Sequence, residues 1–193
     1  MRKLRSAELR GAAHLLARGM RDDPLHVKAF GPEAHLRVRA LARFFEPVLR
    51  RALNRGGVYG VFLDEKLVGI YVEIPPGRCN PTLLEKLKFF PSVCFGNPPA
   101  TTMRVLQWVA EWSRRDPPQP HWHFGPVAVD APLQGRGIGS TMMSDFCSRM
   151  DARKAMSYLE TDKSINVRFY EKFGFKVLGR GRSPRPAELV HVA

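Results

Sequence analysis

Cysteine is scarce in this chain, and the three that occur stand apart. Cys79, Cys94 and Cys147 are odd in number and form no Cys-x-x-Cys pair. Their spacing indicates neither a structural zinc site nor a disulfide framework, so no metal is expected. A reduced, cytoplasmic compartment is the simplest reading. Long apolar runs are also missing: no stretch approaches the ~18 residues of a membrane span, so no membrane partner is expected. No apolar segment follows the basic start Met1-Arg-Lys-Leu-Arg, which argues against a secretory signal. Glu8, Asp22 and Asp23 argue against a mitochondrial presequence. Acidic residues are few, 18 against 31 Lys plus Arg, which leaves a net charge of +13. Such a surplus favours anionic partners. The basic residues are dispersed, however, as in Arg37, Arg39, Arg43, Arg50, Arg51 and Arg55. Without a compact basic block, a solvated surface is expected rather than a nucleic-acid groove.

The 193 residues, 44% hydrophobic and 25% charged, have the balance of a globular protein able to bury a full core. No internal repeat or low-complexity linker divides them, so residues 1–193 read as one domain. The first half predicts a short strand over 1–5 and a helix from the N-cap Ser6 to about Met20. Asp22-Asp23-Pro24 stops that helix. A longer helix over 32–54 is interrupted by Pro47, which should kink or split it. Val58–Leu63 and Leu67–Ile74 then alternate as a β-hairpin. Residues 75–100, rich in Pro, Gly and Asn, read as a variable loop or lid with a helical piece near 83–89. A helix over 101–114 follows, with Val105, Trp108 and Val109 inward. The second half alternates: strand 121–129, helix to about Ala152, strand 156–160, helix 165–173, strand 175–179 and a last strand near 189–192. The fold class is α/β (α+β), with parallel pairing across the first crossover.

The densest signal is the passage from Val127-Ala128-Val129 into Gln134-Gly135-Arg136-Gly137-Ile138-Gly139-Ser140. A strand runs into a glycine loop and the loop into a helix. Backbone N–H groups at a helix start have no intrahelical partner, and the helix dipole adds partial positive charge there. Such a loop suits phosphate. A Walker loop is excluded, because no lysine follows the glycines. The dinucleotide pattern Gly-x-Gly-x-x-Gly fits at Gly135 and Gly137 but meets Ser140, with the last glycine one residue early at Gly139. Glu160, ending the next strand, imitates that fold's ribose-binding acid, yet too little chain remains for a doubly wound sheet.

Gln134-Gly135-Arg136-Gly137-Ile138-Gly139 resembles the Gln/Arg-x-x-Gly-x-Gly/Ala signature of the GCN5-related N-acetyltransferase (GNAT) superfamily. Asn166-Val-Arg-Phe169-Tyr170-Glu-Lys-Phe173-Gly174-Phe175 resembles that family's Asn…Phe-Tyr…Gly-Phe segment. The wording around Leu159-Glu160-Thr161 and Phe169–Phe175 is similar to the puromycin-acetyltransferase-like branch. The resemblance implies a mixed, mostly antiparallel sheet of about six to seven strands flanked by helices. Its central parallel pair splays around acetyl-CoA, here a co-substrate.

The resemblance implies a role for each of these residues, and physical fit supports it. Gly135–Ser140 would hold the pyrophosphate, with charge added by Arg136. Val127, Ala128 and Val129 would pair with the pantetheine amides as an extra strand would, and a backbone N–H near Val129 would polarise the thioester carbonyl. Asn166 and Phe169 would lie beside the cofactor arm. Tyr170 is the candidate general acid toward the CoA thiolate, since a phenol with pKa near ~10 is protonated at neutral pH. The base stays open among His123, Glu73 and Glu160; His121 and His123 share one strand face, and imidazole suits amine deprotonation. Cys147, on an apolar stripe with Met143 and Met150, is a poor covalent nucleophile. The chain is therefore expected to transfer acetyl directly to a primary amine of a small molecule or peptide, as a monomer or homodimer. The alternative is a non-catalytic acyl-CoA-binding or basic nucleic-acid-binding protein on the same fold. The charge of +13 points to an acidic or neutral acceptor, shaped by residues 25–55 and 75–100.

Overall fold

A computed structural model describes residues 1–94, 97–113, 117–180 and 187–191, with side chains described outside 111–116 and 180–193. One seven-stranded sheet organises the chain, in the order β1-β2-β3-β4-β5-β7-β6. Its strands are β1 (Arg2–Lys3), β2 (Gly57–Leu63), β3 (Lys66–Ile74), β4 (Trp122–Val129), β5 (Ser157–Thr161), β6 (Lys176–Arg180) and β7 (Ala187–His191). All neighbours are antiparallel except β4 and β5. The expected helix end at Arg114, the prolines 184 and 186, and the end of the last strand at Val192 lie outside the described residues.

Period-2 alternation in β3 sends side chains to two separate cores. Ile70, Val72 and Ile74 face one core with the helices of the first half. Those helices are α1 (Leu9–Gly19), α2 (Pro24–Phe30), α3 (Ala34–Arg55), α4 (Leu83–Cys94) and α5 (Pro99–Ser113). Tyr71 faces the other core with α6 (Ile138–Arg153) and α7 (Ser164–Glu171). The hairpin β2–β3 turns through Asp64 and Glu65, both at positive φ (46° and 62°), a two-residue turn of the sense that matches strand twist.

Three local expectations differ from the structure. Pro24 does not simply end a helix: it opens α2 at the first-turn position, where proline's missing N–H costs nothing. Pro47 does not break α3, which runs unbroken for 22 residues. Leu41, Phe44 and Phe45 before it, and Leu49 and Ala52 after it, are all buried on one face. That burial outweighs the ~3 kcal/mol penalty of an internal proline. Residues 75–100 are more helical than expected, because α4 extends to Cys94 and α5 begins at Pro99.

Candidate active site

Between β4 and β5 the sheet opens. The two strands pair only at Trp122↔Ser157 and His123↔Tyr158 among the described residues. Beyond His123, β4 stays on β3 through a bulge opposite Val72, with Glu73↔Phe124 and Tyr71↔Val127 on either side. The phase of the ladder decides what faces the gap. Asp130 N–H donates to Val68 O at 2.9 Å. Antiparallel pairs alternate between bonded and non-bonded, so Ala128 bonds toward β3 while Val127 and Val129 turn their N–H and C=O groups toward the gap.

The glycine loop is clamped where it leaves β4. Arg18 Nε and Nη2 donate to Asp130 Oδ1 and Oδ2 at 2.9 and 2.7 Å. Gly19 lets α1 approach β4: a Cβ there would sit 2.7 Å from Val129 O. Gln134 is a brace, its Nε2 donating to Gly19 O (3.3 Å) and Val129 O (3.1 Å). Sequence reasoning missed Arg18 and Gly19, which lie over a hundred residues from the loop and belong to no motif. Gly135 and Gly137 take φ of +78° and +83°, with nothing within 4 Å of where a Cβ would stand. Gly137 caps α6 in the left-handed conformation, a position glycine holds without strain. Arg136 and Ser140 are exposed, and Ile138 and Gly139 are half-buried.

One cleft gathers five of the residues singled out from the sequence: His123, Val127, Glu160, Asn166 and Tyr170 all line it. Val129 and Phe169 flank the start of α6 instead, both within 4 Å of where a Cβ on Gly139 would lie. Asn166 Nδ2 donates to Thr161 Oγ1 at 3.1 Å, fastening α7 to the end of β5. Tyr170 is 6% exposed. Its ring meets Phe124, Phe169 and Phe175. Burial raises its phenol well above the usual range, and the carboxylates of Asp23 and Asp162 push the same way.

Two rival bases turn out to be partners. His123 Nε2 lies 3.6 Å from Glu160 Oε2, and both side chains are largely buried. The third, Glu73, is elsewhere. Its register opposite Phe124, next to Ile74↔His123, puts Glu73 and His123 on opposite sheet faces. Tyr59 Oη donates to Glu73 Oε1 at 3.0 Å, and Arg149 Nη2 lies 3.3 Å from Oε2. Burial pushes the Glu73 carboxyl above its ordinary range, with the Tyr59 hydrogen bond pulling the other way. Glu73 is not among the residues that line the cleft with His123, Glu160 and Tyr170. Cys147 is buried, and desolvation pushes its thiol up to about 11, so it offers little thiolate.

No sequence motif marks the opposite wall. Asp23, Leu25 and His26 of the Asp-Pro segment line the cleft with Phe45 and Trp108. Lys163 Nζ pairs with Asp23 Oδ1, and Leu25 N–H donates to Asp162 Oδ2 at 2.8 Å. His26 is buried among Phe30, Phe45 and Trp108. Desolvation lowers its imidazole pKa despite the nearby Asp23. Asp23, Glu160 and Asp162 line the cleft, and among the described residues no Lys or Arg does. The surplus of positive charge therefore belongs to the outer surface. Of the segments expected to shape the acceptor end, 25–55 contributes, whereas 75–100 yields its place to Trp108 of α5. The metal-free expectation rested on spacing, yet Cys79, His121 and His123 converge: their ligand atoms lie within 4.8 Å of one another. Among the described residues no helix is long and apolar enough to cross a membrane.

Known structures share this fold. A protein from Corynebacterium glutamicum described as histone acetyltransferase HPA2 and related acetyltransferase superposes with a TM-score of 0.70 at 21% identity, over 100% of this chain and 95% of that one. The PaiA N-acetyltransferase of Thermoplasma acidophilum, solved with coenzyme A, gives 0.57 at 13% identity over 100% and 97%. Arylalkylamine N-acetyltransferase 2 of Aedes aegypti gives 0.59 at 11% identity over 99% and 97%. These similarities carry the fold. The sequence profile of the Acetyltransferase (GNAT) family matches residues 27–175, most of the chain. The chain therefore belongs to the GNAT family of acetyltransferases.

Proposed function

We propose that this chain transfers the acetyl group of acetyl-CoA directly to a primary amine of a small molecule or peptide. One observation carries the reading: Tyr170, Asn166 and the His123–Glu160 pair line a single cleft beside the open edge of β4. The residues suit the donor. Gly135 and Gly137 leave the loop open above the first turn of α6, whose N–H groups are ready for a pyrophosphate, with Arg136 adding charge. The outward amides of Val127 and Val129 and the carbonyl of Val127 can pair with a pantetheine arm, while Val129 O is taken by Gln134 and Ala128 holds the strand to β3. Gln134 braces the loop, and Ile138, Gly139 and Ser140 form the helix start. Asn166 and Phe169 flank the arm. The coenzyme A bound to the Thermoplasma relative supports the same donor here.

The steps follow from the groups present. A neutral amine attacks the thioester carbonyl carbon. An outward N–H of β4 donates to the carbonyl oxygen as negative charge develops there. The C–S bond breaks, and Tyr170 Oη gives its proton to the departing sulfur. The proton shed by the amine goes to His123, oriented and charge-balanced by Glu160. The buried thiol of Cys147 makes a covalent acetyl-enzyme unnecessary to the scheme.

The acceptor reading changes once the cleft is seen. Asp23, already met by Lys163, stands with Glu160 and Asp162 in a cleft that no Lys or Arg lines among the described residues, and the carboxylates attract an ammonium group whatever the net charge of the surface. Phe45 and Trp108 offer apolar contact beyond it. We therefore favour a cationic alkylamine, aromatic or aliphatic, over an acidic acceptor. The test follows thiol release from acetyl-CoA across a diamine, an arylalkylamine, an amino sugar and an acidic peptide. Turnover is expected with the first two. No release with any amine, alongside tight CoA binding, would overturn the catalytic reading.

A further inference from the structure

We propose that Cys79, His121 and His123 form a binding site for one divalent transition-metal ion of the zinc class. The three come from two separate segments. Cys79 follows β3 in the chain, and the histidines lie at the start of β4. Their ligand atoms lie within 4.8 Å of one another. A thiol and two imidazoles form a sulfur–nitrogen set that selects Zn2+, Co2+ or Cu2+ over Mg2+ or Ca2+, which demand oxygen. Tetrahedral zinc with bonds of ~2.0–2.3 Å needs donors about 3.3–3.6 Å apart. The side chains must therefore close by roughly 1 Å, a small rotamer adjustment on a fixed backbone.

The surroundings already orient the ligands. Arg51 Nη2 donates to Arg78 O (2.7 Å) and Cys79 O (2.8 Å), and Glu85 lies 3.3 Å from Arg51 Nε. That fork pins the turn carrying Cys79. His121 is 5% exposed, with Nδ1 2.8 Å from Gln119 O. A carbonyl can only accept, so Nδ1 carries the proton and Nε2 presents its lone pair. Glu160 lies 3.6 Å from His123 Nε2, the outer carboxylate that favours ligation through Nδ1. Three protein ligands leave a fourth position for water.

This site shares His123 with the proposed base, so its effect on turnover rests on the proposed function. An imidazole whose lone pair is on a metal cannot also take the amine's proton. The bound ion is thus an inhibitor of acetyl transfer, reversed by a chelator.

The experiment titrates the metal-depleted full-length protein with Co2+. One equivalent should produce a thiolate-to-cobalt charge-transfer band and tetrahedral d–d bands. Cys79→Ser should abolish the charge-transfer band, and His121→Gln should weaken Co2+ binding by at least about tenfold, since even outer-shell losses cost that much. Circular dichroism of each variant confirms its fold, and Cys94→Ser serves as the control that keeps the band. A charge-transfer band that survives Cys79→Ser overturns the site. Zn2+ should also inhibit turnover of the parent protein and spare the Cys79→Ser variant. Cobalt bands that need Cys79, together with turnover untouched by Zn2+, keep the metal site and remove His123 from base catalysis. Absence of turnover with every amine refutes the enzyme reading and leaves the spectroscopic result standing.

Discussion

Tyr170→Phe removes one oxygen and leaves everything else that the ring does. The ring contacts with Phe124, Phe169 and Phe175 remain. The lost group is a hydroxyl at the cleft wall, so unfolding free energy should change by less than about 1 kcal/mol. Turnover should change far more. General acid catalysis is worth about 10²- to 10⁴-fold, or roughly 3–5 kcal/mol of barrier. The phenol is well placed for this work because burial disfavours phenolate and holds its proton above the ordinary range. The sign is simple: as a raised acid, Tyr170 stays protonated through neutral and mildly alkaline pH. Turnover should therefore show no alkaline decline from this group below about pH 10. The assay is steady-state thiol release, with CoA affinity measured separately by calorimetry. We expect kcat down at least about a hundredfold with the CoA Kd within about twofold. A kcat within about threefold of the parent, or an equal loss in affinity, would refute the acid role.

Two further substitutions probe the loop and the acid side of the stability curve. Gly137→Ala forces a Cβ into a left-handed cap at φ +83°, which should cost about 1–2 kcal/mol by chemical denaturation and weaken CoA binding. Gly139→Ala should fold normally, because its Cβ would meet Phe169 and Val129 at ordinary contact distances of 3.7 and 3.9 Å. Burial alone would raise Glu85, yet the Thr82 N–H with Arg51 and Arg55 outweighs it and holds the carboxyl at about 2. A depressed folded pKa means that this stabilisation is present above about 4.5 and is lost as pH falls toward 2. With a quarter of the side chain exposed, solvent screening cuts the contribution to about 1 kcal/mol. Glu85→Gln should therefore flatten the fall of Tm between pH 5 and 2, and an unchanged slope would exclude the linkage.

Helical and strand periodicity made α1, the β2–β3 hairpin and the alternating second half legible, because those patterns depend on near neighbours in sequence. The misreadings fall on proline. Pro24 reads as a stop, and only the buried His26, Ala29 and Phe30 of α2 make it a start. Pro47 reads as a break, and the core on both sides of it overrides that preference. At the site, Gly137, Asn166 and Tyr170 were found by motif. The clamp of Arg18 and Gly19 on the loop had no such signal.

The chain's own order of residues sufficed to determine its local chemistry. The glycines at 135 and 137 stand where the backbone must turn left-handed, and Tyr170 stands on the helix after the next strand. Conformational freedom and spacing along the chain decide such things. Only the tertiary structure decided that β4 and β5 part after His123, that His123 and Glu160 are partners and Glu73 is not, and that a basic protein encloses an acidic cleft. It also brought Cys79 beside His121 and His123. Strand register, sheet face and packing between distant segments set these features, and none of them follows from near neighbours in the chain.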